Sequence, residues 1–402
     1  MKAIHPASCV IAAGVVAALH VAKLPPALPV LQQAIGVSLL QAGFLLSLVQ
    51  LAGMTLGLPA GLLIQRWGPR RSLLAGLSLL SLASVWGGTA QTATVLLLTR
   101  ALEGLGFLCV VLPAPGLLRV LVPPERLSRM LGAWGAYMPL GAALALLVGP
   151  SVMALADADW GWRIWWWGLS ALSVLLVALV FWRVPADARS HASLPNQTSV
   201  APHWRVLLLR TLRSRGAWLV ALSFAMYSGQ WLAVVGFLPS IYAQAGLAPG
   251  TTAWLTALAA GVNIIGNLAA GRLLHRGIAP VTLLIAGFVA MGLGAVLAFG
   301  VTGMPWLQYI AVLAFSMLGG LIPGTLFSLA VQLAPGASAV PTTVGWMQQW
   351  SALGQFCGPP LVAWVAGQAG HWQLTWTVTG TCSLVGLFLA WQIQVLLKPA
   401  HL

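Results

Sequence analysis

A helix needs about 20 apolar residues to cross the hydrocarbon of a bilayer, and twelve segments of about that length follow one another along this chain. They fall at 8–32, 39–62, 72–91, 94–117, 129–153 and 162–183, and then at 217–240, 251–271, 280–301, 306–330, 341–366 and 372–396. Short polar breaks separate them. The pattern predicts an all-α, multi-pass membrane protein. The chain is 59% hydrophobic and 6% charged, with a mean hydropathy of +0.93, which no water-soluble surface tolerates.

Sliding the sequence by 210 positions aligns Leu28-Pro29 with Leu238-Pro239, Gly36 with Gly246, Gly61 with Gly271, Arg66 with Arg276, and Trp162 with Trp372. One six-helix unit is used twice: 1–183 forms an N-terminal bundle, 184–216 a cytoplasmic linker, and 217–402 a C-terminal bundle. Parallel halves with a pathway between them near the midplane are the logic of a large transporter class. The linker is polar and holds Pro185, Pro195 and Pro202. Its last stretch, HWRVLLLRTLRSR, reads either as a topology determinant or as an amphipathic helix on an anionic leaflet.

Charge orients the chain. With a cytoplasmic N-terminus, 16 of the 19 cations gather at inner loops and ends: Lys2, Arg66, Arg70, Arg71, Arg119, Arg126, Arg129, Arg183, Arg189, Arg205, Arg210, Arg213, Arg215, Arg272, Arg276 and Lys398. The positive-inside rule then puts both termini inside a bacterial inner membrane. The same count explains the net charge of +14 without a nucleic-acid partner. Met1 to Ala22 has the look of a cleaved secretory signal, but removing it would leave eleven spans and break the repeat, so it is read as span 1. Cys9, Cys109, Cys357 and Cys382 lack metal-ligand or disulfide spacing and read as packing residues; no metal or cofactor is expected.

Three ionisable residues fall inside spans, where each costs at least about 2.5 kcal/mol and is a functional candidate by default. Lys23 in span 1 and Arg100 in span 4 share a depth, and Glu103 lies on the same helical face as Arg100. Arg100 and Glu103 are expected to neutralise each other and leave Lys23 as the uncompensated cation, either an anion contact or a side chain snorkelling to the headgroups. The offset replaces Lys23 by Ala233, and span 10 offers Leu313 and Ser316 for Arg100 and Glu103. Charge therefore resides in the N-terminal half and suits an anionic substrate.

Glu103 and His20, one turn before Lys23, are the candidate proton carriers. The substrate-binding candidates are Lys23, Arg100, Tyr227, Gln230 and Gln348 or Gln349, since amides and aromatics orient a solute without competing for the cation. Asn263 and Asn267, which the offset matches to Gly53 and Gly57 of span 2, read as interface glue between helices rather than ligands. The prolines at 25, 26, 29, 113, 115, 239, 323, 359 and 360 are expected to bend spans. The tryptophans at 160, 162, 165, 166 and 167 read mainly as an aromatic belt.

Residues 61–71 read GLLIQRWGPRR, which resembles the inter-helix signature of the major facilitator superfamily; RALEGLG at 100–106 is similar to its arginine-then-glycines motif, and Gly161-Trp162-Arg163 to another common feature. The resemblance covers the whole chain. It implies twelve helices in two pseudo-repeat bundles, alternating access, and an inner gate at Gly61, Gln65, Arg66, Gly68, Arg70 and Arg71. The family usually has an aspartate where Gln65 stands, so an ion pair at that gate is lost. Ala145 and Leu146 stand where the family's antiporter motif has glycine and proline, which argues against drug antiport. Lys23, followed by Leu-Pro-Pro and Leu-Pro, resembles the cyanate and nitroimidazole permease branch, whose members carry a basic residue in that helix.

The expected function is thus secondary active transport of a small anion or organic acid, coupled to protons. Proton-driven efflux of lipophilic drugs is the alternative. A membrane-embedded enzyme needs clustered acids, His or Cys, whereas Glu103, Glu125, Asp157, Asp159 and Asp187 are scattered.

Overall fold

The computed structural model describes residues 5–186 and 204–397. Lys2, Arg189, Lys398 and linker residues 187–203 lie outside the described residues, as do the side chains of Gln65, Arg66 and Arg129. The described chain folds into twelve spans in two six-helix bundles. Spans 1 to 6 are Pro6–Ala34, broken at Lys23; Leu39–Trp67, with a 3-10 turn at Leu48–Gln50; Pro69–Gly88; Ala93–Leu121, broken at Leu112 and Pro113; Pro124–Met153, broken at Ala136; and Ala158–Arg183. A linker helix, Trp204–Arg213, leads into spans 7 to 12. These are Arg215–Gln244; Pro249–His275, broken at Val262; Pro280–Gly300, ending in a π turn; Pro305–Gln332, broken at Gly320; Val340–Ala369; and Thr375–Leu397. Among the described residues nine helices are long and apolar enough to cross a membrane unaided. Spans 3, 5 and 11 complete the twelve: span 3 begins with Arg70 and Arg71, span 5 is divided, and span 11 is diluted by glutamines and glycines.

Local chemistry sets the ends. Proline occupies the first helical position at Pro6, Pro69, Pro124, Pro249, Pro280 and Pro305, where a missing N–H costs nothing. Ser38 and Gln41 form a capping box on span 2, and Thr92 and Asp157 cap spans 4 and 6. The repeat-matched Gly36 and Gly246 both have positive φ, 66° and 79°, and turn the chain after spans 1 and 7.

Breaks do not simply follow proline. Span 1 breaks just before Pro25 and span 4 at Pro113, yet Pro239, Pro359 and Pro360 sit inside continuous helices, while spans 2 and 8 change course where no proline stands. Packing decides there: Gly104 rests on the Val49 carbonyl, and Gly320 packs against Asn263.

The arginines at helix ends mark a basic end of the molecule, and Asp157 and Asp159 lie at the opposite, distal end. The two halves meet most tightly in their distal parts. Leu24–Ala34 packs on span 7, Pro249–Gly261 on Tyr137–Met153, and span 2 on span 11, where a side chain on Gly43 would lie 2.8 Å from Pro360 Cα. Asn263–His275 and Pro124–Gly135, which carry spans 8 and 5 to the basic end, pack chiefly within their own halves. This is a distally closed arrangement.

A buried charge cluster and an amide seam

The break in span 1 creates the first half of the site. Pro25 cannot donate to the Val21 carbonyl, so that carbonyl needs another partner. Arg100 supplies it: Nη2 donates to Val21 O at 3.1 Å, Nη1 to His20 O at 2.6 Å, and Nε to Leu45 O at 3.0 Å, just before the 3-10 turn of span 2. One guanidinium thereby ties span 4 to the irregular points of spans 1 and 2. Its Nη1 also reaches Glu103 Oε2 at 2.6 Å.

Lys23 is not the uncompensated cation that spacing suggests. Its Nζ donates to Glu103 Oε1 and, at 2.8 Å, to Ser84 Oγ; it lies 3.5 Å from His20 Nδ1 and 4.7 Å from the centroid of Trp166. Nor does it snorkel, because Lys23, Arg100 and Glu103 are all fully buried. Glu103 is shared, one oxygen to each cation. Close packing of spans 1, 2 and 4 brings the lysine stem within reach, a contact 80 residues apart in sequence. His20 shares the face of Lys23 and bonds through Nε2 to Ser173 Oγ at 2.7 Å.

Two of the tryptophans assigned to an aromatic belt belong to this cluster instead. Trp162, Trp165 and Trp166 are buried, because their spacing puts them on the inward stripe of span 6 with Leu169 and Ser173. Trp165 donates to Lys23 O at 3.1 Å, and the Trp166 carbonyl accepts from Ser84. Trp160 alone of the five is strongly exposed. Ser84, Ser173, Trp165 and Trp166 carry no sequence signal for this role; their partners are 61 to 153 residues away.

The C-terminal half gathers neutral groups around Ser316 and Gln230, the counterparts of Glu103 and His20. Asn263 Nδ2 donates to Tyr227 Oη at 3.1 Å and to Ser316 O at 2.8 Å, Asn267 Nδ2 donates to Asn263 Oδ1 at 2.8 Å, and Trp231 Nε1 to Ser316 Oγ at 3.1 Å. Gln230 accepts from Ser383 at 3.1 Å and donates to Met226 O at 2.9 Å. Asn263 and Asn267 therefore act as glue between helices, binding spans 7, 8 and 10 to one another within one half.

Amides line the seam between the halves. Gln50 Nε2 donates to Gln355 Oε1 at 3.0 Å, and Gln349 Nε2 to Met54 O at 2.7 Å, joining spans 2 and 11. Gln348, one residue along, is exposed. Gln50 carries a sequence signal for this role, an amide in the middle of an apolar span. At the basic end, Gly68 at φ 105° turns span 2 into span 3, and Arg70 donates to Phe181 O with its guanidinium 5.2 Å from the Phe181 ring, clamping span 3 to span 6. Arg71 is exposed there. Among the described residues no three His, Cys, Asp or Glu side chains gather as a metal site.

Comparison with known proteins agrees with the fold. The family model for the Major Facilitator Superfamily matches residues 10–348. The cyanate transport protein CynX of Escherichia coli (strain K12) is 26% identical over 372 residues, covering 90% of each chain. The 2-nitroimidazole transporter of the same strain is 28% identical over 369 residues, 87% of this chain and 85% of the relative. Multidrug resistance protein MdtL of Escherichia coli O139:H28 is 27% identical over 348 residues, 85% and 83% of the two chains. A solved bacterial homologue of the human lysosomal transporter Spinster, inward-facing and unoccupied, shares the fold with a TM-score of 0.76 at 14% identity, over 98% of this chain and 97% of that one.

Proposed function

Because the chain belongs to the Major Facilitator Superfamily and is a transporter by family, we propose that it moves a small anion or organic acid by alternating access, in symport with protons. The observation that carries this reading is the charge count of the buried cluster: two cations share one carboxylate, and the matching positions in the other half, Ala233, Leu313 and Ser316, are neutral. With all three groups ionised, one positive charge is in excess. An anion about 10 Å away at an effective dielectric near 20 gains roughly 1.7 kcal/mol from it.

Coupling follows from the same count. A proton on Glu103 raises the excess to two charges, and a proton on His20 adds one more, so either event favours anion binding; by linkage, a bound anion favours the proton. That reciprocity is the thermodynamic signature of symport. Gln348, Gln349, Tyr227 and Gln230 orient the solute in this scheme, and Gly61, Gln65, Arg66, Gly68, Arg70 and Arg71 form the gate at the basic end. The positive-inside rule makes that end, and both termini, cytoplasmic in a bacterial inner membrane. The unit from 1 to 183 and the unit from 217 to 402 rock about the seam, joined by 184–216.

A second reading, efflux of lipophilic drugs, is favoured by the saturation of Lys23 by Glu103, Ser84 and Trp166, which leaves neutral amides as the groups at the seam, and by the likeness to MdtL. Ligand-induced thermal shifts on purified protein separate the two. Stabilisation by cyanate, carboxylates or other small anions that is lost in Lys23→Met supports the anion reading, since the Arg100–Glu103 pair left behind is neutral. Stabilisation by lipophilic cations, indifferent to Lys23, refutes it. For the coupling, Glu103→Gln, assayed per folded molecule, is expected to keep counterflow and lose accumulation driven by a pH gradient; unchanged accumulation removes Glu103 from that role.

A further inference from the structure

The linker helix Trp204–Arg213 is docked by one face only. Thr211 is buried and its hydroxyl lies 2.8 Å from that of Thr342, in the first turn of span 11; Trp218 at the base of span 7 donates to Leu212 O, also at 2.8 Å. These contacts fix the helix rotation. The opposite face presents Val206, Leu209, Arg210 and Arg213, with Leu209 52% and Val206 41% exposed. A helix face bathed in water would carry polar residues between its arginines. Here two aliphatic side chains lie among guanidiniums, the composition of a helix that rests in a membrane interface.

Charge and depth single out the occupant. Arg210 and Arg213 have no ion-pair partner among the described residues; of the described acids, Glu103 is consumed in the core, Asp157 and Asp159 lie at the distal end, and Glu125 alone lies at the basic end. Only Ser214 separates the helix from Arg215, where span 7 begins at the basic end, and Trp218, Trp346 and Trp350 pack edge to face at that level, with centroids 5.0 to 5.8 Å apart. The helix is tied to that level through Trp218.

The geometry points to the face Val206–Leu209–Arg210–Arg213 as a docking surface for anionic phospholipid: the arginines engage headgroup phosphates and Leu209 enters the acyl boundary. Through Thr342 this contact holds the basic end of span 11, the helix that carries Gln349 and Gln355 of the seam.

The test uses full-length protein with Cys9, Cys109, Cys357 and Cys382 replaced by serine, Leu209→Cys labelled with an environment-sensitive fluorophore, and reconstitution into phosphatidylcholine with or without phosphatidylglycerol. The expected result is a blue shift that grows with phosphatidylglycerol, reverses with salt, and falls about fivefold in apparent lipid affinity for each of Arg210→Gln and Arg213→Gln. Arg210→Lys with Arg213→Lys retains it, which separates charge loss from misfolding. A shift equal in phosphatidylcholine alone, no shift in either lipid, or a shift indifferent to both arginines overturns the proposal. So does an equal shift on adding heparin to the detergent-solubilised protein, which would assign the face to a soluble polyanion.

Discussion

Replacing each member of the buried cluster by a residue of similar shape is expected to destabilise the protein in a set order, Lys23→Met least, Arg100→Met more, and Glu103→Gln most. Lys23→Met leaves Arg100 and Glu103 as a neutral pair, keeps most of the side-chain volume, and leaves Ser84 bonded to Trp166 O. The cost is about 1 kcal/mol, that of an ordinary hydrogen-bonded contact. Arg100→Met also leaves a neutral pair, Lys23 with Glu103, but strips the donor from the Val21 carbonyl, whose helical partner would have been the N–H that Pro25 lacks, and from His20 O and Leu45 O. Orphaning one or two of these carbonyls costs roughly 2–4 kcal/mol. Glu103→Gln leaves two cations facing each other with no counter-charge, a loss of roughly 3–5 kcal/mol. Thermal unfolding is followed with a thiol-reactive dye after Cys109, Cys357 and Cys382 are replaced by serine, so that the buried Cys9 is labelled only on unfolding. A Lys23→Met variant as unstable as Glu103→Gln would show that Glu103 is not shared between the cations, and a neutral Glu103→Gln would remove the charge argument altogether.

Three further outcomes are expected. Gln50→Ala and Gln355→Ala each remove the hydrogen bond between side-chain amides of spans 2 and 11, worth about 0.6 kcal/mol in a membrane protein; distal accessibility, read by labelling of introduced cysteines, should rise about threefold, and the double variant should add nothing. Asn263→Ala breaks the links to Tyr227, Ser316 and Asn267. It should lower thermal stability by roughly 1–2 kcal/mol while transport per folded molecule persists, whereas abolished transport at unchanged stability would make Asn263 a substrate ligand. Gly229→Ala places a Cβ 2.6 Å from the Gly354 carbonyl, where spans 7 and 11 touch backbone to backbone, and should prevent folded expression; Gly168→Ala in span 6 meets open space and should be neutral or stabilising by up to about 1 kcal/mol.

The motifs GLLIQRWGPRR and RALEGLG were enough to identify the superfamily, which the match over residues 10–348 shows. Identity of motif did not reveal what the motif residues touch. Arg100 was legible as a buried cation, but its grip on the carbonyls of His20, Val21 and Leu45 depends on irregular turns in two other spans. Trp165 and Trp166 were legible as aromatic residues near a membrane edge, and only the rotation of span 6 turns them toward Lys23 rather than lipid.

Sequence by itself determined the twelve crossings, the two-fold repeat and the basic end, because bilayer insertion is a local free energy: it sums apolar residues over about 20 positions and senses cations just beyond them. The second partner of Glu103, Lys23, the breaks in spans 2 and 8 where no proline stands, and the amide seam between Gln50 and Gln355 were decided by tertiary structure alone. Those depend on which faces of separate spans meet, and in a bilayer that choice rests on close backbone approach and on satisfying every polar group inside the protein. A charge on one helix finds its counter-charge where packing delivers it.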